Sequence, residues 1–172
     1  MLSFVGTFTH TAFDTPLGLV ALASTDEGVV RCDLPGSDPD SLVEEVIVRT
    51  GLEPVEGGAQ VEEAADQVTE YLEGERRQFD LALDWQLIGG FYRDVLKATY
   101  EIPYGETVSY GEVAALAGKP GAARAAGTAL SRNPIALIVP CHRVIKSDGT
   151  TGGFGGGANS IPLKKKLLAL ET

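Results

Sequence analysis

The chain changes character at Gly89-Gly90, and this break constrains the fold more than any other feature of its 172 residues. Before it, the β-rich runs FVGTF, LGLVALAS and GVVRCDL are separated by turn signals at Thr15-Pro16 and Asp26-Glu27-Gly28, which predicts antiparallel strands within residues 4–34. Apolar residues at helical spacing then mark residues 41–50 (Leu42, Val43, Val46, Ile47) and 60–72 (Val61, Ala64, Ala65, Val68, Tyr71, Leu72) as helices packed on that sheet. Residues 74–84, with Phe79, Leu81 and Leu83, lead into an expected linker ending near Gly89-Gly90. The expectation is an α+β unit over residues 1–88 followed by a mainly helical unit over 89–172.

The second part begins with a compact amphipathic helix over 91–100, stopped by Ile102-Pro103-Tyr104-Gly105. Ser109 then stands in N-cap position with Glu112 as capping-box partner, ahead of Val113, Ala114, Ala115 and Leu116. That helix is predicted to end at Gly118. The turn Lys119-Pro120-Gly121 leads into a second helix, AARAAGTALSR, running to about Arg132. Two short helices joined by a tight turn resemble a helix-turn-helix, whose second helix is normally presented to DNA. Ala122, Ala123, Ala125, Ala126 and Gly127 surround the single cation Arg124, so the backbone can approach a partner closely while one long side chain projects. The bland alternative packs the small residues helix on helix and pairs Arg124 with a carboxylate.

A net charge of −10 argues at first against nucleic acid. The distribution of charge argues the other way: residues 1–85 hold 18 acidic and 4 basic side chains, whereas residues 86–172 hold 6 acidic and 10 basic. Such asymmetry points to a polyanion-binding half. The acidic half fits either a high-salt environment or a solvated surface that maintains solubility. The first residues show no secretory pattern, and no stretch approaches the roughly 18 apolar residues of a membrane span, so a soluble cytoplasmic protein is expected. In that compartment Cys32 and Cys141 are expected as free thiols. His10 and His142 add no closely spaced ligand pair, so no metal is expected. Cys32, within GVVRCDL, reads as a buried structural cysteine.

The wholly apolar run 135–139, bounded by Asn133-Pro134 and Pro140, reads as a buried extended segment, and Cys141-His142-Arg143-Val144 follows it directly. A thiol leaving such a segment beside an imidazole can be a nucleophile, because the thiolate is the reactive form and a nearby base makes it accessible. Neighbouring side chains on a strand point to opposite faces, so a sharp turn or a water must connect the two. Taken alone, His142 also fits a structural histidine and Glu171 a solvated end-of-chain charge. The glycine-rich stretch 152–157 fits a flexible linker, or a phosphate loop without its Lys-Ser/Thr ending. Lys164-Lys165-Lys166 fits a phosphate contact or the solvated face of a terminal helix.

PCHRV at residues 140–144 resembles the active-site signature of O6-alkylguanine-DNA alkyltransferases, the methylated-DNA–protein-cysteine methyltransferases. IPYGETVSYGEVAALAG, AARAAGTAL, RNP, GGFGGG and KKKLLALE follow the same family order across nearly all of residues 90–171, while TPLG and YLEGERRQFDL fit its N-terminal part less specifically. The resemblance implies a ribonuclease H-like first domain and a second domain that binds double-stranded DNA and carries the acceptor Cys141. It further implies that His142 draws the thiol proton through a water and that Glu171 orients the imidazole. Tyr110 would help turn the phosphate and donate a proton towards guanine N3. Arg124 would enter the stack in place of a flipped base, on a minor-groove helix that includes Ala122 and Ala123. Asn133 would brace the turn before the cysteine segment. Val144, Phe154, Gly155, Gly156 and Asn133 would form the base pocket. Phe154 departs from the tyrosine frequent in the family, which puts a polar contact near O6 in doubt. No cofactor is implied, since the alkyl group comes from DNA, and the protein is expected to act as a monomer. Activity on O4-methylthymine depends on pocket volume. Two rival readings stay open: a non-catalytic sensor of alkylated DNA, and a cysteine hydrolase using Cys141 and His142.

Overall fold

The computed structural model describes residues 5–154 and 160–172. Phe4 and the glycines Gly155, Gly156 and Gly157 lie outside that set. The chain divides into two compact units, Met1–Leu87 and Ile88–Thr172.

In the first unit, β1 (Thr7–Thr15) and β2 (Gly18–Thr25) form an antiparallel hairpin that pairs Thr15 with Gly18, and β3 (Gly28–Cys32) adds antiparallel to β2. Helix α1 (Pro39–Thr50) is capped by the Asp38 carboxylate, which accepts from Asp40 N at 3.2 Å, and has proline in its first turn. The chain returns as β4 (Glu53–Glu56), parallel to β1, and then forms α2 (Ala59–Leu72). The sheet order is therefore β3-β2-β1-β4. The polar β4 carries no alternating apolar signal, and its Pro54 is tolerated at a sheet edge.

Leu42 and Val46 of α1 close over Phe8, Ala21, Ala23 and Val30. Each such aliphatic burial contributes roughly 1.5–3 kcal/mol. Strand alternation puts Val20 and Leu22 on the other face, and both are fully buried, so β2 is covered on two sides. Helix α2 packs on the sheet with Val61, Ala64, Val68 and Tyr71 buried. Cys32 is buried at the end of β3 and is a free thiol. Residues 82–84 are tied to β3: Val29 N donates to Ala82 O at 2.9 Å and Asp84 N to Val29 O at 2.8 Å. Here Gly28 is required, because a Cβ on it would lie 2.3 Å from Ala82 O.

The second unit contains α3 (Gly90–Tyr100), β5 (Val108–Ser109), α4 (Tyr110–Leu116), α5 (Ala123–Ser131), a 3-10 turn at Cys141–Arg143, β6 (Val144–Ile145) and α6 (Ile161–Leu170). The Ser109 side chain accepts from Glu112 N at 3.1 Å and starts α4 where the capping signal places it. Helices α4 and α5 pack on one another and on α3, and β5 pairs parallel with β6, joining the start of α4 to the segment after Cys141. No helix among the described residues is long and apolar enough to cross a membrane.

Candidate active site

The run 135–139 is buried throughout but is not extended. It coils on itself: Val139 N donates to Ile135 O at 2.9 Å, Ile138 N to Ala136 O at 2.8 Å, and Leu137 adopts φ 69°. The flanking prolines remove donors, so buried backbone groups are satisfied within the coil and by the Asn133 amide. Asn133 Oδ1 accepts from Ile135 N and its Nδ2 donates to Val139 O, both at 3.0 Å. This coil delivers Cys141 into the 3-10 turn, where strand alternation no longer applies.

Cys141 is 6% exposed and lines a cavity of about 770 Å³. Around the same cavity stand Tyr110, Ala123, Arg124, Ser131, Lys146 and Phe154. Burial pushes the Cys141 thiol above its ordinary range, while hydrogen bonding from Asn133, the charge of Lys164 and backbone hydrogen bonds pull the other way. Arg124 is exposed on α5, and no carboxylate pairs with it among the described residues. Burial also raises the Tyr110 phenol, which keeps it a donor; its hydroxyl donates to Gly153 O at 3.3 Å. Gly152, at φ 71°, must lack a side chain, since a Cβ would meet the Tyr110 hydroxyl at 2.7 Å.

His142 does not line the cavity and is completely buried. Its Nε2 lies 2.8 Å from Glu171 Oε2. An ionised carboxylate can only accept, which assigns the proton to Nε2 and leaves Nδ1 as the basic nitrogen. Burial holds the imidazole below its ordinary value, opposed by the Glu171 charge. Glu171 is held in turn by Arg143, whose Nε and Nη2 donate to its two oxygens at 2.9 Å, and by Gly105 N at 3.3 Å. Arg143 Nη1 also reaches Ile102 O at 2.6 Å. A basic imidazole fixed by a clamped carboxylate, one residue from a buried thiol, can take the thiol proton and stabilise the charge that results.

Cys141, Tyr110, Ala123, Arg124 and Phe154 thus share one cavity, whereas His142, Glu171, Asn133 and Val144 are not among its lining residues. Ala122 caps the start of α5 and does not line the cavity. The expected contacts of Gly155 and Gly156 fall outside the described residues. Two site residues are not singled out by the sequence patterns. Arg143 has no role in them, although a cation embedded in a buried apolar stretch needs a partner. Lys164 belongs to a lysine run that reads as solvated or phosphate-facing, whereas it is fully buried. Helical spacing carries the missed signal: Lys164, Leu167 and Glu171 recur on one face, and all three are buried.

Residues 90–172 match the family model of the 6-O-methylguanine DNA methyltransferase DNA binding domain, and residues 8–85 match that of its ribonuclease-like domain. A methylated-DNA–protein-cysteine methyltransferase of Mycolicibacterium paratuberculosis is 44% identical over 92% of this chain and 88% of its own length. One from Mycobacterium leprae is 46% identical over 93% and 90%. The crystal structure of Mycobacterium tuberculosis O6-methylguanine methyltransferase superposes with a TM-score of 0.77 at 40% identity, covering 96% of this chain and 93% of that one. The Mycobacterium tuberculosis OGT structure in complex with DNA gives 0.77 at 41%, covering 95% and 92%. The chain belongs to the 6-O-methylguanine DNA methyltransferase family.

Proposed function

We propose that the protein directly reverses O6-alkylguanine in double-stranded DNA, moving the alkyl group irreversibly onto Cys141, once per molecule, as a cytoplasmic monomer. The observation that carries this reading is a buried thiol at the wall of a cavity of about 770 Å³, followed directly in sequence by an imidazole held on a clamped carboxylate, in a chain of this family. The sulfur attacks the alkyl carbon in line; a C–S bond forms, the C–O6 bond breaks, and the electron pair leaves on guanine. His142 takes the thiol proton through a bridging water. Tyr110, kept protonated by burial, donates towards N3 as charge develops on the purine, and recovers its proton from solvent.

The alkyl carbon lies inside the base stack, so the nucleotide must rotate out to reach a buried sulfur. Arg124, exposed on a helix of small residues at the cavity rim, suits the role of filling the vacated stack. Residues 89–172 would then carry recognition and chemistry, with residues 1–88 in support. A lesion sensor without chemistry has no use for the thiol, and a hydrolase would recycle it. Transfer of labelled methyl from a lesion duplex separates these readings: the proposal expects one equivalent per protein and no turnover, while binding without transfer or repeated turnover would contradict it.

A further inference from the structure

Helix α6 carries three successive lysines, of which Lys165 and Lys166 are exposed and Lys164 is not. The Lys164 ammonium points into the protein and donates to Val144 O at 2.7 Å, to Gly153 O at 3.1 Å and to Thr151 O. These three acceptors are neutral carbonyls. Val144 follows the 3-10 turn that bears Cys141, while Thr151 and Gly153 flank Gly152 in the segment that lines the cavity, so one side chain ties the nucleophile's segment to a wall of the cavity. Nζ also stands 5.7 Å from the Tyr110 ring centroid and 5.9 Å from that of Phe154.

We propose that Lys164 is a positioning residue for the alkyl transfer: it fixes the cavity wall through three carbonyls and supplies the positive charge against which Cys141 ionises. This rests on the alkyltransferase reading above. The titratable groups around it are Cys141, His142 and Tyr110. Burial lowers the Lys164 ammonium to about 8, partly opposed by Cys141, and its charge favours the Cys141 thiolate while disfavouring protonation of His142. A burial cost of this kind persists only where the geometry compensates it. Gly153 O accepts from both Lys164 and Tyr110, so Lys164 can hold the loop when Tyr110 turns towards a base.

The test compares K164M, which keeps the length and apolar shaft, and K164R, which keeps the charge. Two readouts are taken: single-turnover transfer from a duplex containing O6-methylguanine, and iodoacetamide alkylation of Cys141 against pH, mapped to the peptide. In K164M, transfer at neutral pH is expected to fall about tenfold or more and the alkylation profile to move up by on the order of one pH unit. K164R should hold the alkylation profile nearer wild type. A folded K164M with unchanged transfer and an unchanged alkylation profile would overturn the proposal. Wild-type protein that alkylates as expected but transfers no methyl would instead sink the alkyltransferase reading and leave the thiol–lysine coupling standing. Should K164M not fold, NMR of labelled lysine in wild type replaces it: one lysine should titrate near 8, and a protein in which none does so would overturn the proposal.

Discussion

Glu171 reaches back across 29 residues to place its Oε2 2.8 Å from His142 Nε2, while Arg143 grips the same carboxylate with two hydrogen bonds at 2.9 Å. The second-last residue of the sequence is thus fixed to the turn that bears the thiol. All three side chains are buried, so none can be released to solvent without leaving its partner uncompensated.

Replacing Glu171 by Gln keeps the shape and removes the charge that Arg143 and His142 share. Breaking a buried pair in this way costs about 3–5 kcal/mol. E171Q is expected to unfold at lower urea and to transfer methyl more slowly while still folded. Urea titration followed by single-turnover kinetics checks both; unchanged stability would show that Arg143 is compensated elsewhere.

His142 gives stability a pH dependence of known sign. Its folded value lies below the ordinary 6.5. The unfolded chain therefore binds a proton on falling through that pH that the folded protein refuses until lower pH, and stability declines as the solution is acidified below it. The urea midpoint of wild type should drop more between neutral and mildly acidic pH than that of H142Q. Equal drops in both proteins would place the acid sensitivity at other groups.

Arg124 is exposed and lines the cavity, and the proposal gives it the place of the flipped base. Filling the hole left by a flipped base offsets an unstacking cost of a few kcal/mol. R124A should keep wild-type stability and lose roughly tenfold to a hundredfold in transfer from duplex, while transfer from free O6-methylguanine base stays unchanged. Equal losses on both substrates would assign Arg124 to the pocket itself.

Asn133 closes the coil before Cys141 with two hydrogen bonds of 3.0 Å. Asn133→Ala leaves Ile135 N and Val139 O without this partner, and each unmet buried group costs about 1–3 kcal/mol. A lower melting temperature and slower iodoacetamide alkylation of Cys141 are expected, since Asn133 also favours the thiolate. Alkylation at the wild-type rate would limit Asn133 to a structural part.

The sequence is legible where local chemistry decides the outcome. Apolar spacing locates α1, α2 and α3, and Ser109 marks the start of α4 because a cap is a local hydrogen bond. Features set by tertiary partners are not legible. Glu53–Glu56 is polar and contains proline, and becomes a strand only because β1 offers it a ladder. The run 135–139 has the composition of a buried strand, and its coil depends on Asn133 and the bracketing prolines. Cys141 and His142 stand out as neighbours next to a buried stretch, whereas the partnership of His142 with Glu171 follows from family resemblance alone. Lys164 is hidden among identical neighbours, and only the helical phase shared with Leu167 and Glu171 distinguishes it.

Intact mass, followed by peptide mapping, after incubation with a duplex bearing one O6-methylguanine decides whether Cys141 is the alkyl acceptor. The predicted result is a gain of a single methyl group, located on Cys141, with unmodified guanine restored in the DNA and no second turnover. Tight binding to the lesion with no change in mass, or a methyl group on any other residue, would contradict it.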